Sequence, residues 1–161
     1  MPFSALTNLA TGDLVTETEY DKIKNNFDYI LLPNGEQILH SEAGTYTTTS
    51  TSFVDIDATD LSIDITTYGG RILIYLQCLA ESSANVLYFD FTVDGTRVGQ
   101  AFTAGLCALS ANKQWVTVFA IVDKTADTYT IVPQWRQSAA GTGTIQSSST
   151  IPVNFGAFEI F

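Results

Sequence analysis

The chain is poor in positive charge and in the residue types that usually carry catalysis. Its 161 residues include seven Lys plus Arg against seventeen Asp plus Glu, which gives a net charge of −10, with one His and two Cys. Binding to nucleic acid or to an anionic membrane needs basic patches, and the sequence shows none. We therefore expect neither partner, and self-association would have to bury apolar or neutral surface.

Long hydrophobic runs and an export signal are also missing. No run reaches the roughly 18 apolar residues that a membrane helix needs. The opening MPFSALTNLATGD lacks the basic and apolar regions of a secretory signal. These absences predict a soluble chain made without Sec-type export.

Motifs for catalysis or metal binding are scarce. His40 is the one histidine, and the sequence contains no nucleophile motif such as G-x-S-x-G that a catalytic histidine would activate. Asp55, Asp57, Asp60 and Asp64 could hold Ca²⁺, but they lack the Gly and terminal Glu of an EF-hand, and a solvated strand face explains them equally well. No zinc spacing or phosphate loop occurs, so we predict a non-enzymatic protein without a cofactor.

Two cysteines, Cys78 and Cys107, lie in the apolar segments YLQCLA and GLCALS. Such surroundings favour buried free thiols. A disulfide stays open, because sequence does not fix the distance between the two sulfur atoms.

What the chain has in abundance is the composition of a sheet protein. Hydrophobic residues make up 45% and charged residues 15%, and 34 residues are Ser or Thr. Branched and aromatic side chains pack well on pleated sheets. Period-two patterns and turn signals predict eight to ten antiparallel strands in a mostly β jelly-roll sandwich. The predicted strands are about 45–56, 61–66, 71–80, 86–93, 96–104, 105–110, 114–122, 128–136, 143–149 and 153–161.

One helix precedes these strands. Tyr20, Ile23, Phe27 and Ile30 recur at spacings of three and four, which predicts an amphipathic helix over about 17–31. We divide the chain into an N-terminal arm, helix and connector over 1–44, with an anchoring role, and a jelly-roll β-sandwich over 45–161.

Several strands are apolar on both faces, namely GGRILIYLQCLA, NVLYFDFTVDG and QWVTVFAIV. A second apolar face requires cover from another layer or another subunit. The closing VNFGAFEIF places Phe155 and Phe161 on one face, and Phe158 and Ile160 on the other. We predict a subunit interface that contains these four residues together with Tyr75, Tyr88 and Trp115.

A carbohydrate-binding surface is the other interpretation of the aromatic residues, since sugar faces pack on rings. Trp135 and Arg136 are the candidate ligand surface, because they precede the small-residue loop QSAAGTGTIQSSST.

Two segments resemble known families. TNLATGDLVTETEYDKIKNNFDYIL is similar to the opening of many bacteriophage virion proteins, in an extended arm, a GD-Leu-x-Thr entry and a helix that ends in Asn-Phe-x-Tyr-Ile. The segment from TSTSFVDIDATD to FDFTVDGTRVG resembles the β-sandwich domains of phage structural and tail-fibre proteins. NFGAFEIF resembles the closing strand of the tumour necrosis factor and complement globular-head jelly rolls, where an F-G-x-F/L motif packs at the centre of a homotrimer.

Both resemblances imply a trimer. Together they imply a phage virion structural protein, either a capsid decoration protein or a small spike on the particle surface, with the major capsid protein or other virion proteins as partners. The alternative is a tail-fibre tip or baseplate protein that recognises a host surface glycan. The anchoring residues would be Phe3, Leu6, Leu14, Tyr20, Ile23, Phe27 and Ile30.

Overall fold

The computed structural model describes Thr18 and residues 20–23, 35–40 and 44–160. Thr18 and 20–23 are helical, in agreement with the predicted helix, whose other residues lie outside the described ones. Tyr20 is exposed and Ile23 is half-buried. Among the described residues, no helix has the length and hydrophobicity needed to span a membrane.

The described chain forms twelve strands. They are β1 (Gly35–His40), β2 (Gly44–Thr48), β3 (Val54–Asp55), β4 (Ile63–Thr66), β5 (Gly70–Ser82), β6 (Leu87–Val93), β7 (Thr96–Arg97), β8 (Cys107–Leu109), β9 (Gln114–Lys124), β10 (Thr128–Gln137), β11 (Gly143–Ser147) and β12 (Val153–Ile160).

These strands form two six-stranded antiparallel sheets. In sheet A, the long strand β5 pairs with β9 on one edge and with β12 and then β11 on the other, while β1 pairs with β12 and β2 with β11. In sheet B, the neighbouring strands β10 and β6 form the centre. Strands β3 and β4 pair with β10, and β7 and β8 pair with β6.

The chain crosses between the sheets in the manner of a jelly roll. Strand β4 lies in sheet B, β5 in A, β6 to β8 in B, β9 in A, β10 in B and β11 in A. The first and last strands are neighbours, with Gly35 opposite Phe158 and His40 opposite Val153. This strand order confirms the predicted mostly β jelly-roll sandwich.

The core lies between the sheets because every second side chain of each central strand points inward. On β5 the inward positions run from Ile72 to Ser82, and all of them are buried. Sheet B contributes large rings, among which Phe89, Phe91 and Trp135 are at most 1% exposed. Each such apolar side chain contributes about 1.5–3 kcal/mol on burial.

A tight turn joins β6 to β7, as the Asp-Gly pair in the sequence predicts. Asp94 and Gly95 connect these strands and have φ values of 50° and 71°. A tight hairpin turn needs positive φ at both central positions, and Asp and Gly tolerate it.

Three boundaries differ from the prediction. Residues 35–40 were assigned to the connector but form β1, an edge strand paired with β12. The predicted strand 45–56 divides into β2 and β3, because 49–53 carries the chain from sheet A to sheet B. Only 96–97 of the predicted strand 96–104 is extended. The segment 98–106 folds instead over sheet B, where the Gly99 N–H donates to Asp90 Oδ1 at 2.9 Å.

Segment 98–106 also changes the expectation for the two-sided strand β6. Asp90 and Thr92 alternate with the core residues of β6 and therefore point away from the core, yet they are 0% and 5% exposed. Since the Val98 and Leu106 N–H groups bond to the carbonyls of Phe91 and Phe89, the chain itself covers this region.

Candidate functional site

The outer side of sheet A is an apolar surface that the described chain leaves uncovered. We call it the apolar face, and it consists of the outward side chains of Leu73, Tyr75, Leu79, Trp115, Phe119, Ile121, Phe158 and Ile160. Large exposed apolar patches on soluble domains mark interaction sites. This surface is therefore the candidate functional site.

Strand register brings the residues of the apolar face into cross-strand pairs. Across β5 and β9, Leu73 lies opposite Ile121, Tyr75 opposite Phe119 and Leu79 opposite Trp115. Such pairs stabilise a sheet even at its surface. Burial within the chain remains incomplete, because Phe119 is 65% exposed, Ile121 54% and Trp115 53%.

The FGAF motif of β12 explains how the aromatic rings sit there. Phe155 points into the core, while Phe158 points outward and stacks on Tyr75, with ring centroids 6.1 Å apart and planes 4° from parallel. A Cβ on Gly156 would lie 2.5 and 2.8 Å from Cε1 and Cζ of the Tyr75 ring. Glycine at 156 thus lets Tyr75 lie over the strand backbone. The Tyr75 hydroxyl donates to Asn154 Oδ1 at 3.1 Å.

Charge is confined to the ends of the apolar face. Arg71 and Asp123, at one end of β5 and β9, form an exposed ion pair of 3.3 Å. Between them and Glu81, the outward positions of β5 carry Leu73, Tyr75, Gln77 and Leu79. A chain with a net charge of −10 therefore presents an uncharged surface here.

The residues of the predicted interface are not all on this face. Tyr75, Trp115, Phe158 and Ile160 lie on it, and Phe161 lies outside the described residues. Phe155 is 0% exposed and stacks on Phe91 of sheet B. Its assignment to an interface is corrected, because it fills the core of its own domain.

Tyr88 belongs to the opposite side of the sandwich. It alternates with the core residues of β6 in sheet B, where the Arg136 guanidinium lies 4.5 Å from its ring centroid. A partner on the apolar face would not contact it.

Of the two residues predicted to form a ligand surface, Trp135 is wrongly assigned. Trp135 is 1% exposed and belongs to the core, so its ring is not available for stacking on a ligand. Arg136 is half-buried and lines a surface pocket with Phe53 and Arg97. The anchoring residues Phe3, Leu6, Leu14, Phe27 and Ile30 lie outside the described residues, and the anchoring role stays a prediction.

The clustered carboxylates accept hydrogen bonds from other groups of the chain, and His40 packs against an aromatic ring. Asp57 Oδ1 accepts hydrogen bonds from the Thr59 and Asp60 N–H groups, Asp55 accepts one from Gln134, and Asp64 accepts one from Thr130. Within the described part of the chain, no group of three or more His, Cys, Asp or Glu side chains could hold a metal ion. His40 packs against Tyr46, with ring centroids 5.6 Å apart.

Both cysteines are free thiols. Burial, together with a smaller electrostatic contribution from the neighbouring Cys107, raises the pKa of Cys78 to about 12. Burial also raises the pKa of Cys107, which is only half-buried. Because the thiolate is the reactive form, neither group suits nucleophilic chemistry near neutral pH.

These environments predict the alkylation behaviour of the two thiols. In the native protein at mildly alkaline pH, iodoacetamide should modify Cys107 slowly and leave Cys78 unmodified, whereas in urea both should react at the rate of a free thiol. Mass spectrometry of peptides after timed quenching measures this. Native modification of Cys78 as fast as in urea would contradict the placement of its side chain in the core.

Comparisons with known proteins give structural similarities only. The chain matches no protein-family model and no curated protein. Among solved structures, Eiger TNF from S. frugiperda is 13% identical with a TM-score of 0.46, covering 80% of this chain and 94% of its own. The VP2 subviral particle of infectious bursal disease virus is 12% identical with a TM-score of 0.41, covering 80% and 38%.

A third similar structure is the C-terminal CBM6 of LamC from Zobellia galactanivorans. It is 14% identical with a TM-score of 0.37, covering 78% of this chain and 100% of its own. At such identities and TM-scores, none of these proteins assigns a function to the chain.

Proposed function

We propose that the chain is a non-enzymatic structural protein of a bacteriophage virion, a homotrimeric capsid decoration protein or small spike on the particle surface. Its partners are two further copies of itself and, through the N-terminal segment, the major capsid protein or another virion protein. The observation that carries the proposal is the apolar face of sheet A.

Leaving the apolar face in water is energetically unfavourable. Trp115, Phe119 and Ile121 are all more than half exposed. Burying apolar surface contributes about 25 cal/mol per Å². Acidic copies repel one another over most of their surface, so the uncharged apolar face is the favourable place for two copies to meet.

The number of copies and the viral setting come from sequence resemblance. NFGAFEIF supports a three-fold arrangement, because Phe158 and Ile160 of this segment point outward on the apolar face. The phage-like opening supports attachment to a particle. The measurement that tests the assembly is sedimentation at micromolar concentration: we expect the mass of a trimer, and the mass of a monomer would overturn the proposal.

Removing residues 1–32 should separate anchoring from folding. All twelve described strands begin at Gly35 or later, so the truncated chain keeps every described strand and the apolar face. We expect it to fold and associate as the full chain does, but not to co-sediment with capsids that lack the native protein. Undiminished capsid binding would contradict an anchoring role, and loss of the folded sandwich would mean that residues 1–32 contribute to the fold.

A receptor-binding tail-fibre tip or baseplate protein is the second candidate. The observation that favours it is the pocket beside Arg136, which is open to solvent on sheet B. Imaging of the intact particle separates the two functions. A decoration protein occupies many sites over the capsid, whereas a receptor-binding protein is confined to the tail.

A further inference from the structure

A pocket of about 460 Å³ lies on the outer side of sheet B, and we call it the arginine pocket. Its lining consists of Thr51, Ser52, Phe53, Arg97, Gln100, Thr103 and Arg136. The chain holds only seven Lys and Arg in total. Two of them meet here, although the rest of the protein is strongly acidic.

The side chain of Arg97 is held in place by hydrogen bonds, and its positive charge is offset by a buried carboxylate. Its Nε lies 2.6 Å from Oδ2 of Asp90, which is fully buried. Its Nη2 donates to the carbonyl oxygens of Gly99 and Phe102, both at 2.7 Å. Arg97 thus holds segment 98–106 in place, and its charge is offset by that of Asp90.

Arg136 is fixed in a different way, by neutral groups. Its Nη1 donates to the carbonyl oxygens of Thr51 and Gln137 at 3.2 Å, and its Nη2 donates to the carbonyl oxygen of Thr103 at 2.6 Å. Among the described residues, no carboxylate pairs with it. Two guanidiniums and one carboxylate leave one net positive charge at the pocket.

Phe53 keeps the two guanidiniums near each other. The guanidinium carbons of Arg97 and Arg136 lie 4.2 and 5.3 Å from the centroid of its ring. The ring also packs on Gly105, where an added Cβ would lie 2.8 Å from Phe53 Cζ. Because packing and hydrogen bonds hold both cations before any ligand arrives, little ordering is needed for binding.

We infer that the arginine pocket binds the carboxylate of an acidic sugar, such as a uronic or sialic acid unit of a glycan. One uncompensated guanidinium matches one carboxylate, because these two planar groups can form parallel charge-assisted hydrogen bonds. The side chains of Thr51, Ser52, Gln100 and Thr103 supply the neutral donors and acceptors that sugar hydroxyl groups need. The pocket is open to solvent, which suits one unit of a longer glycan rather than an enclosed small molecule.

This inference does not depend on self-association. The arginine pocket is on the outer side of sheet B, and the apolar face is on the outer side of sheet A, so a partner on one leaves the other open. Failure of sugar binding would leave the assembly proposal intact, and a monomeric protein could still bind the sugar.

The experiment is an NMR titration of the full chain with galacturonate, N-acetylneuraminate, galactose and inorganic phosphate. We expect saturable shifts of amides at 51–53 and 97–105 with a carboxylated sugar and none with galactose. Arg136→Gln should weaken binding at least about tenfold, because a hydrogen bond to a charged group contributes about 1.5–3 kcal/mol. The control Arg71→Gln removes an exposed arginine from sheet A and should bind as the native chain does.

Unchanged sugar affinity of Arg136→Gln would overturn the inference, as would either of two results with the native chain. One is the absence of saturable shifts with either acidic sugar. The other is phosphate binding as tight as that of the sugars, which would assign the pocket to simple anions. If Arg136→Gln fails to fold, Gln100→Ala serves instead, since this exposed side chain lines the pocket. It should weaken sugar binding several-fold, and unchanged affinity would count against the inference.

Discussion

Replacing Phe155 with alanine should remove a large part of the stability of the sandwich. The side chain is fully buried, stacks on Phe91 at a centroid distance of 6.4 Å, and lies opposite Ile38 and Leu76 on the flanking strands. Truncation of a buried Phe costs about 3–5 kcal/mol, against a typical total of about 5–15 kcal/mol. Urea unfolding followed by circular dichroism should show a correspondingly lower midpoint.

Phe158→Ala is the matched control, because it deletes the same ring from the same strand on the opposite face. Phe158 is half-buried and contacts Tyr75, so its loss should cost the single chain about 1 kcal/mol. We expect this variant to weaken self-association instead, and sedimentation at several concentrations measures it. If the two variants destabilised the monomer equally at low protein concentration, the assignment of Phe155 to the core and of Phe158 to the apolar face would be wrong.

The closing strand β12 shows which side-chain orientations the period-two alternation predicts without the structure. The period-two pattern correctly separates Phe155 from Phe158 and Ile160, because successive side chains of a strand point to opposite sides. It does not say which side is the core. That choice depends on Phe91 of sheet B, a contact far away in sequence, which is why alternation alone places Phe155 in the predicted interface.

Trp135 was misassigned for the same reason. Its neighbour Arg136 is polar and a small-residue loop follows, which favoured an exposed position from sequence. In the structure, Trp135 takes the inward position of β10 opposite Phe89 of β6. Strand β1 was missed because an edge strand is defined by its pairing with the distant β12, and GEQILH has little alternation of its own.

Several residues of the candidate sites were not named from sequence, for different reasons. Phe119 and Ile121 alternate with Val118 and Ala120, so the pattern places them on the face of Trp115 and could have identified them. Arg97 could not be found in this way. Its role depends on the buried Asp90 and on segment 98–106, which the turn signals did not resolve.

Introducing a carboxylate at position 119 should dissociate the proposed trimer while the fold persists. Phe119 is 65% exposed in the single chain, so Phe119→Asp loses only its pairing with Tyr75 and places a poor strand former in β9. We expect it to lower the free energy of unfolding of the monomer by about 1–2 kcal/mol. In an associated particle the new charge would be buried without a partner, at a cost of about 3–5 kcal/mol. That corresponds to at least a hundredfold increase in the dissociation constant, which sedimentation over a concentration series measures.

Ser110→Asp is the control for added negative charge. Ser110 is exposed in the turn after β8 of sheet B, so this variant carries the same net charge as Phe119→Asp and leaves the apolar face unchanged. We expect it to sediment as the native protein does. If both variants dissociated equally, general repulsion between acidic chains would explain the loss. If neither dissociated, the interface would lie elsewhere. Dissociation of Phe119→Asp alone identifies the apolar face as the surface that holds the copies together, because only there does the added charge lose its water.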